Sequence, residues 1–243
     1  LEVNPEDVTP DACAAWRGLG VRTLSLGVQA FSDDALRFLG RRHSAEQARA
    51  AVETAQAAGF DTVSVDLIFG LPGQSPGAWR RELGAAVALG PAHLSCYQLT
   101  IHARTRFGVA ARRGQLSEMP EGEQAALFEI THRVLADAGY SAYEVSNFAR
   151  GRDHESRHNR KYWDHTPYLG LGPSAHSFAS SDAGAPSGRR WWNELRTPRW
   201  ESRSPGISEF RSAGPTSPGS ATGRCGSRAT TTSAGRTCSW CSR

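Results

Sequence analysis

The sequence predicts an α/β fold, a parallel sheet or barrel flanked by helices, and three observations point to it. Short apolar runs of strand length alternate with longer helical segments from Arg22 to Ala138. Three of the helical segments open on a Ser or Thr cap followed by proline or a capping glutamine. Strands separated by helices in this way join one sheet as parallel neighbours through right-handed crossovers. Periodicity leaves the open sheet and the closed barrel as alternatives.

The elements follow in chain order. Leu1-Glu2-Val3-Asn4-Pro5 reads as the end of a strand, and Thr9 with Pro10 opens a helix through Ala12 to about Arg17. Arg22 to Val28 is a strand, short and rich in Leu and Val. Ser44 and Gln47 form a capping box, the alanine-rich stretch Ala45 to Ala58 propagates the helix, and Gly59 permits its stop. Asp61 to Phe69 is the next strand. Ser75 and Pro76 then start a helix that Gly90 ends, and His93 to Leu99 is a third strand. Glu121 to Ala138 repeats Leu127, Ile130 and Leu135 at a spacing of roughly 3.6 residues, as one buried helix face does.

After Tyr140 the alternation weakens. An aromatic-rich segment runs from Tyr143 through Phe148, Tyr162, Trp163 and Tyr168 to Trp191 and Trp192, and is expected to form an α+β extension. From residue 197 the composition changes again: residues 201 to 243 hold ten Ser, six Gly, six Thr and six Arg, and no Leu, Val, Lys or Asp. So little apolar surface does not offset chain entropy, so the tail is expected to be disordered. With 27 Arg in the chain against Lys161 alone, it also reads as a frameshifted translation of GC-rich DNA. Three segments result: 1–139, 140–196 and 197–243.

The 243 residues are 39% hydrophobic, enough for one good-sized core. The formal charge of +4 sits in the tail, where six Arg face two Glu, and the body is neutral with 22 basic and 22 acidic groups. A nucleic-acid partner, which needs basic groups gathered on one face, is therefore not expected. Neither a signal peptide nor a run of about 18 apolar residues is present, so no membrane span is expected and the simple localisation is cytoplasmic. The first 200 residues carry only Cys13 and Cys96, unlike a secreted disulfide scaffold. The only methionine is Met119, so the natural start is expected upstream.

In an α/β fold ligands bind at the carboxyl ends of the strands, here Gln29 to Phe31, Asp66 to Gln74 and Gln98 to Ile101. Asp66 interrupts the apolar strand Val63 to Phe69 and precedes Gly70-Leu71-Pro72-Gly73-Gln74; a carboxylate there is either ion-paired to the scaffold or faces a ligand. Gln29 ends its strand two residues after Gly27, which serves either close ligand approach or packing. Glu2 is either solvated or an acceptor for a ligand hydroxyl or amine. Arg41, Arg42 and His43 read as a solvated loop, though one arginine turned inward can clamp a carboxylate.

In the cluster Arg157 to Trp163, His158 beside Asn159, with Tyr162 and Trp163 following, suits a haem or porphyrin contact as well as an ordinary surface. Leu169 to Ser177 contains a Gly-x-Gly but no third glycine, so it supports no dinucleotide fold, and His176 is a candidate liner of a ligand site. Cys238-Ser239-Trp240-Cys241 has redox spacing in a tail without βαβ context, and chance explains it.

Taken in order, Leu-Glu-x-Asn-Pro, Leu-Ser-x-Gly-Val-Gln-x-Phe, Gly-Arg-x-His-Ser, Asp-Leu-Ile-x-Gly-Leu-Pro-Gly-Gln, Tyr-Gln-Leu-Thr, Glu-x-Ser-Asn-Phe-Ala-Arg and His-Asn-x-x-Tyr-Trp resemble the radical S-adenosylmethionine family of HemW and oxygen-independent coproporphyrinogen III oxidase, from Leu1 to about Asn193. The resemblance implies that residues 1–139 are the C-terminal part of a TIM-like barrel and that residues 140–196 are a family-specific extension. It implies adenosylmethionine contacts at Glu2, Gln29, Arg41 and Asp66, with Thr100 and His176 as further ones. It also implies a haem-related motif at His158, Asn159, Tyr162 and Trp163.

One departure stands out. The family's Cys-x-x-x-Cys-x-x-Cys, which holds a four-iron four-sulfur cluster, is absent from this chain, so the cluster is expected only in an intact parent and this chain alone is expected to be inactive. The resemblance implies a haem chaperone delivering haem to apo-proteins. The alternative is the oxidase, which decarboxylates two propionates in porphyrin synthesis. A plain α/β scaffold without ligand is the third reading.

Overall fold

The computed structural model describes residues 1–172, 175–180, 188–192 and 208–210. The chain falls into two compact units, Leu1–Glu155 and one beginning at Ser156.

The first unit is built on a six-stranded sheet. Its strands are β1 (Glu2–Val3), β2 (Thr23–Gln29), β3 (Thr62–Phe69), β4 (His93–Gln98), β5 (Ser141–Ala142) and β6 (Asn147–Ala149), in the spatial order β1-β2-β3-β4-β6-β5. β1 to β4 are parallel, with Glu2 opposite Ser25, Ser25 opposite Ser64 and Asp66 opposite Ser95. β6 then runs antiparallel to both β4 and β5, so the sheet continues beyond residue 139 and its unit extends to Glu155.

The helices are α1 (Pro10–Gly18), α2 (Asp33–Leu39), α3 (Ala45–Ala57), α4 (Pro76–Leu89), α5 (Arg106–Arg112) and α6 (Glu121–Asp137). The capping box of Ser44 and Gln47 is present in both directions, and Thr9 and Ser75 each accept a hydrogen bond from the backbone three residues on. The seven-residue α2 and α5 carry too few turns to print a period on the sequence, and both were absent from the sequence reading.

Side-chain alternation gives the sheet two unlike faces. Leu24, Leu26 and Val28 of β2, Val63, Val65, Leu67 and Phe69 of β3, and Leu94 and Cys96 of β4 are buried in one core with Cys13 of α1, Ala48, Ala51, Val52 and Ala55 of α3, Trp79 and Leu83 of α4, and Leu127 and Leu135 of α6. Trp79 anchors this side: its indole N–H donates to Thr131 Oγ1 at 2.8 Å, and Thr131 donates to the Leu127 carbonyl. The other face carries Ser25, Ser64, Asp66, His93, Ser95 and Asn147, a polar row that crosses four strands. Apolar residues on one face and serines on the other fit a sheet whose inner side is reserved for polar contacts.

Gly108 in α5 is buried, and a Cβ there would overlap the His102 carbonyl and the Ala103 backbone. Gly108→Ala is expected to destabilise the chain by about 1–3 kcal/mol, the usual cost of overpacking against backbone. The urea midpoint measures it.

The second unit contains α7 (Arg157–Trp163) and an antiparallel sheet of β7 (His176–Ser180), β8 (Gly188–Trp192) and β9 (Ser208–Phe210), in that spatial order. Within the tail expected from residue 197, Ser208–Phe210 pairs as β9; its other residues, Cys238 and Cys241 included, lie outside the described residues.

Candidate functional site

Asp66 stands at the middle of the polar face. Ser25 on the neighbouring strand donates its hydroxyl to both carboxylate oxygens, at 3.1 and 3.2 Å. Burial pushes the Asp66 carboxyl up to about 6, against the pull of the Ser95, Ser25 and Ser64 hydroxyls, and the nearby Glu2 carboxylate raises it further. The described contacts are to hydroxyls, not to an arginine or lysine, so the scaffold ion pair is not what accounts for Asp66. Glu2 is exposed as a residue, yet its carboxyl is also raised, first by desolvation. Two carboxyls that both resist ionisation favour a ligand bringing positive charge or hydroxyl donors.

Gln29 closes β2 in a conformation that glutamine rarely adopts, with φ 68°. The Ala30 N–H donates back across it to the Val28 carbonyl at 2.9 Å, which makes Gln29 the centre of a γ-turn. Such strain persists where surrounding structure holds it, commonly at ligand sites. The side chain then turns back along its own strand. A Cβ built on Gly27 would meet Gln29 Nε2 at 3.0 Å, Arg41 Nη2 at 3.5 Å and the Val3 carbonyl at 3.7 Å. Gln29 and Arg41 thus come together over Gly27, beside the strand that carries Glu2. Of the two neighbouring arginines, Arg42 faces Glu6, 3.3 Å away, with a side chain 83% exposed.

The chain therefore gathers an amide and a guanidinium over Gly27, and two carboxyls on the adjoining strands of the same sheet face. Such a set can hold a molecule that has a carboxylate at one end and hydroxyls or an amine at the other. Thr100, half-buried, follows β4 at the carboxyl end of the sheet. His176 belongs to the second unit, where it opens β7 opposite Trp192.

Three supporting residues escaped the sequence reading. His43, expected in a solvated loop, is 4% exposed and places Nε2 3.0 Å from the Val28 carbonyl; the loop folds inward because the histidine finds this acceptor. Glu6, in the 3-10 turn Pro5–Asp7, meets the other side of that ring. Glu82 of α4 is 8% exposed and accepts the Phe31 N–H, fixing the chain two residues beyond the Gln29 turn. Glu82 was detectable in principle, since it lies on the stripe of Trp79, Leu83 and Ala86 that α4 buries. Deeper on the polar face, buried His93 joins Ser64 Oγ at 2.7 Å to the Tyr143 hydroxyl at 2.8 Å. Desolvation pulls its imidazole down to about 4, with His154 adding to the effect, so it stays neutral.

In the second unit, His158 and Tyr162 lie one turn apart on α7, with the Tyr162 hydroxyl 3.2 Å from His158 Nε2 and the rings edge to face at 5.0 Å. Desolvation, with Lys161 adding, keeps the exposed His158 below its ordinary value. Asn159 donates its backbone N–H to the Ser156 cap, and Trp163 is 53% exposed. Lys161 lies 5.3 Å and 5.1 Å from the Tyr162 and Tyr168 ring centroids.

Residues 1–83 match the Radical SAM superfamily model. The heme chaperone HemW of Bacillus subtilis (strain 168) is 35% identical over 178 residues, covering 73% of this chain and 47% of the relative. Radical S-adenosyl methionine domain-containing protein 1, mitochondrial, of Bos taurus is 41% identical over 177 residues, covering 72% and 40%. The solved structure of coproporphyrinogen III oxidase (HemN) from Escherichia coli, described as a radical SAM enzyme, matches with a TM-score of 0.63 at 23% identity over 80% of this chain and 46% of that one. This chain is a HemW-like member of the radical SAM superfamily, with the fold seen in HemN. It spans about half the length of the HemW relative.

The radical SAM family implies adenosylmethionine and an iron-sulfur cluster, and the residues present fit these two differently. A cluster needs accessible thiolates. Cys13 and Cys96 are 0% and 3% exposed in the core, and burial, then the Asp66 charge, raises the Cys96 thiol well above its ordinary value. Among the described residues no group of three metal-ligating side chains exists, so these residues do not fit a cluster. Adenosylmethionine fits better: glycine at position 27 keeps open the space that a Cβ would fill between Gln29 and Arg41.

Proposed function

We propose that this chain is the adenosylmethionine-cradling and haem-contacting part of a HemW-like radical SAM haem chaperone. The observation that carries the reading is the meeting of Gln29 and Arg41 over Gly27, on the sheet face that also bears Asp66 and Glu2. In this reading Arg41 pairs with the methionine carboxylate of adenosylmethionine. Asp66 and Glu2 accept hydrogen bonds from ribose hydroxyls or the methionine amine, Gln29 gives and accepts one each, and Thr100 adds an outlying contact. A cluster belongs to the intact parent, and no step through it is assigned to these residues.

For haem, the proposed contacts are His158, Asn159, Tyr162 and Trp163. Support comes from an exposed imidazole held below its ordinary value, which favours the neutral form a metal takes, beside the Tyr162 ring. To hold the iron, His158 Nε2 would give up its contact with the Tyr162 hydroxyl. Haem-accepting apo-proteins are the proposed partners. The cytoplasm is the proposed compartment, supported by free Cys13 and Cys96 and by the absence, among the described residues, of a helix long and apolar enough to cross a membrane.

Two titrations of the full chain test this. Equilibrium dialysis at pH 7.5 is expected to detect adenosylmethionine binding, and haem addition is expected to give a saturable Soret shift. His158→Ala is expected to weaken haem binding about tenfold or more, the loss that one axial contact of about 1.4 kcal/mol represents. A chain that binds neither ligand would leave the plain scaffold reading. A cluster-loaded, full-length form that decarboxylates coproporphyrinogen III anaerobically without binding haem would replace the chaperone with the oxidase.

A further inference from the structure

His43 lies between two acceptors. Its Nε2 is 3.0 Å from the Val28 carbonyl oxygen and its Nδ1 is 3.3 Å from Glu6 Oε2. A carbonyl has no hydrogen to give, so Nε2 carries a proton and donates it. In a neutral ring Nδ1 is then a bare lone pair, facing the lone pairs of a carboxylate, in a place where the His43 side chain is 1% exposed. Glu6 Oε2 and His43 Nδ1 are both buried and neither has a hydrogen-bond partner, so their 3.3 Å approach is an ion-pair distance with no proton yet accounted for. Two facing lone pairs at this distance, out of contact with solvent, are a conflict. One proton on Nδ1 removes it.

We infer that Glu6 and His43 form a buried carboxylate–imidazolium pair, His43 donating from both ring nitrogens, and that this pair positions the Gln29 turn and Arg41. The proton sits on the ring and not on the acid. Burial pushes the Glu6 carboxyl up, but its own backbone amide, Arg42 and His43 more than offset this and keep it below the ordinary value. Arg42 occupies the other oxygen, with Nε and Nη2 each 3.3 Å from Glu6 Oε1, so both carboxylate oxygens face donors.

Positioning follows from what the pair touches. The Val28 carbonyl already receives the Ala30 N–H across Gln29. A second, charge-assisted donor from His43 fixes the direction of that carbonyl and thereby holds the strained turn. His43 is also two residues beyond Arg41, in the same connection before α3, so anchoring its ring anchors the arginine. Glu6 ties both to the turn that follows β1, which bears Glu2. His43 and Glu6 are thus positioning residues: they touch none of the proposed ligand, and they hold the residues that do. Only the ligand-affinity arm below rests on the adenosylmethionine reading.

The test uses the full chain labelled uniformly with nitrogen-15. Ring nitrogen shifts at pH 7.5 without ligand are expected to show both His43 nitrogens protonated. In Glu6→Gln the glutamine amide can donate to Nδ1, so the ring is expected to become the neutral Nε2–H form. Backbone amide signals of Gln29 to Phe31 should shift in that variant, and adenosylmethionine affinity should fall about tenfold or more, as outer-layer partners of a ligand set do. A neutral ring in the unaltered chain overturns the pair. Unmoved Gln29 to Phe31 signals, or unchanged affinity, overturn the positioning role. An unaltered chain that does not bind adenosylmethionine sinks the adenosylmethionine reading instead, and the ring and backbone signals still decide the pair.

Discussion

Asp66→Asn is expected to make the chain more stable at pH 8 and, at the same time, to weaken adenosylmethionine binding by about a hundredfold or more, since a hydrogen bond to a charged group is worth about 1.5–3 kcal/mol and the variant loses the charge as well as an acceptor. Stability improves because the native carboxylate is uncomfortable. A folded-state value of about 6 against an ordinary 3.8 means that the fold binds the Asp66 proton more tightly than the unfolded chain does. By linkage, stability is highest below about pH 4, falls as pH rises towards 6, and is flat above that. The ionised form then costs on the order of 3 kcal/mol. Asparagine cannot ionise and keeps one acceptor for the Ser25 hydroxyl. Urea unfolding at pH 5 and pH 8 is expected to show the difference between the two proteins growing with pH, and a pH-independent difference would remove Asp66 as its source. Ligand affinity of the unaltered chain should rise from pH 5 to pH 7 as the carboxylate forms.

Gly27→Val should do the reverse of a typical core substitution, leaving stability nearly unchanged while weakening binding strongly. Gly27 lies inside β2, outside the left-handed region, so a β-branched residue suits its backbone. The atoms nearest a Cβ there are the ends of two long side chains, Gln29 Nε2 at 3.0 Å and Arg41 Nη2 at 3.5 Å. These yield before the sheet does. The expected outcome is a urea midpoint within about 1 kcal/mol of the unaltered chain, as for a surface-like change. Affinity should fall about a hundredfold, the effect of displacing a contact by about an ångström. Were Gly27 a packing glycine instead, the midpoint would drop and any binding would survive in the folded fraction.

How much of this could be read from residues alone varies by physical cause. The parallel strands and the capped helices were legible because burial on one face and orphan N–H groups at helix starts leave marks one residue wide: the box at Ser44 and Gln47 is present bond for bond. Asp66 was legible for a similar reason, as a charge in an otherwise apolar strand. The γ-turn at Gln29 was not, since nothing in a glutamine signals a positive φ; the strain is imposed by His43 and Glu82 from elements distant in sequence. Arg41 and Arg42 are indistinguishable as text, and only the position of Glu6 decides that Arg42 turns outward to pair with it. His43 was read as solvated because it follows two arginines, yet a carbonyl and a carboxylate enclose it. The antiparallel β5 and β6 were hidden by their two- and three-residue lengths.

The claim that one sheet face holds Asp66, Glu2, Gln29 and Arg41 around a single adenosylmethionine is tested most directly by carbon-13 NMR of the Asp66 carboxyl. Titrated without ligand, that carbon is expected to change with a midpoint of about 6. With saturating adenosylmethionine the midpoint should move down, because ribose hydroxyls or the methionine amine then stabilise the ionised form. A midpoint already at the ordinary 3.8 in the free chain, or one that does not move when ligand is bound, would contradict the shared site.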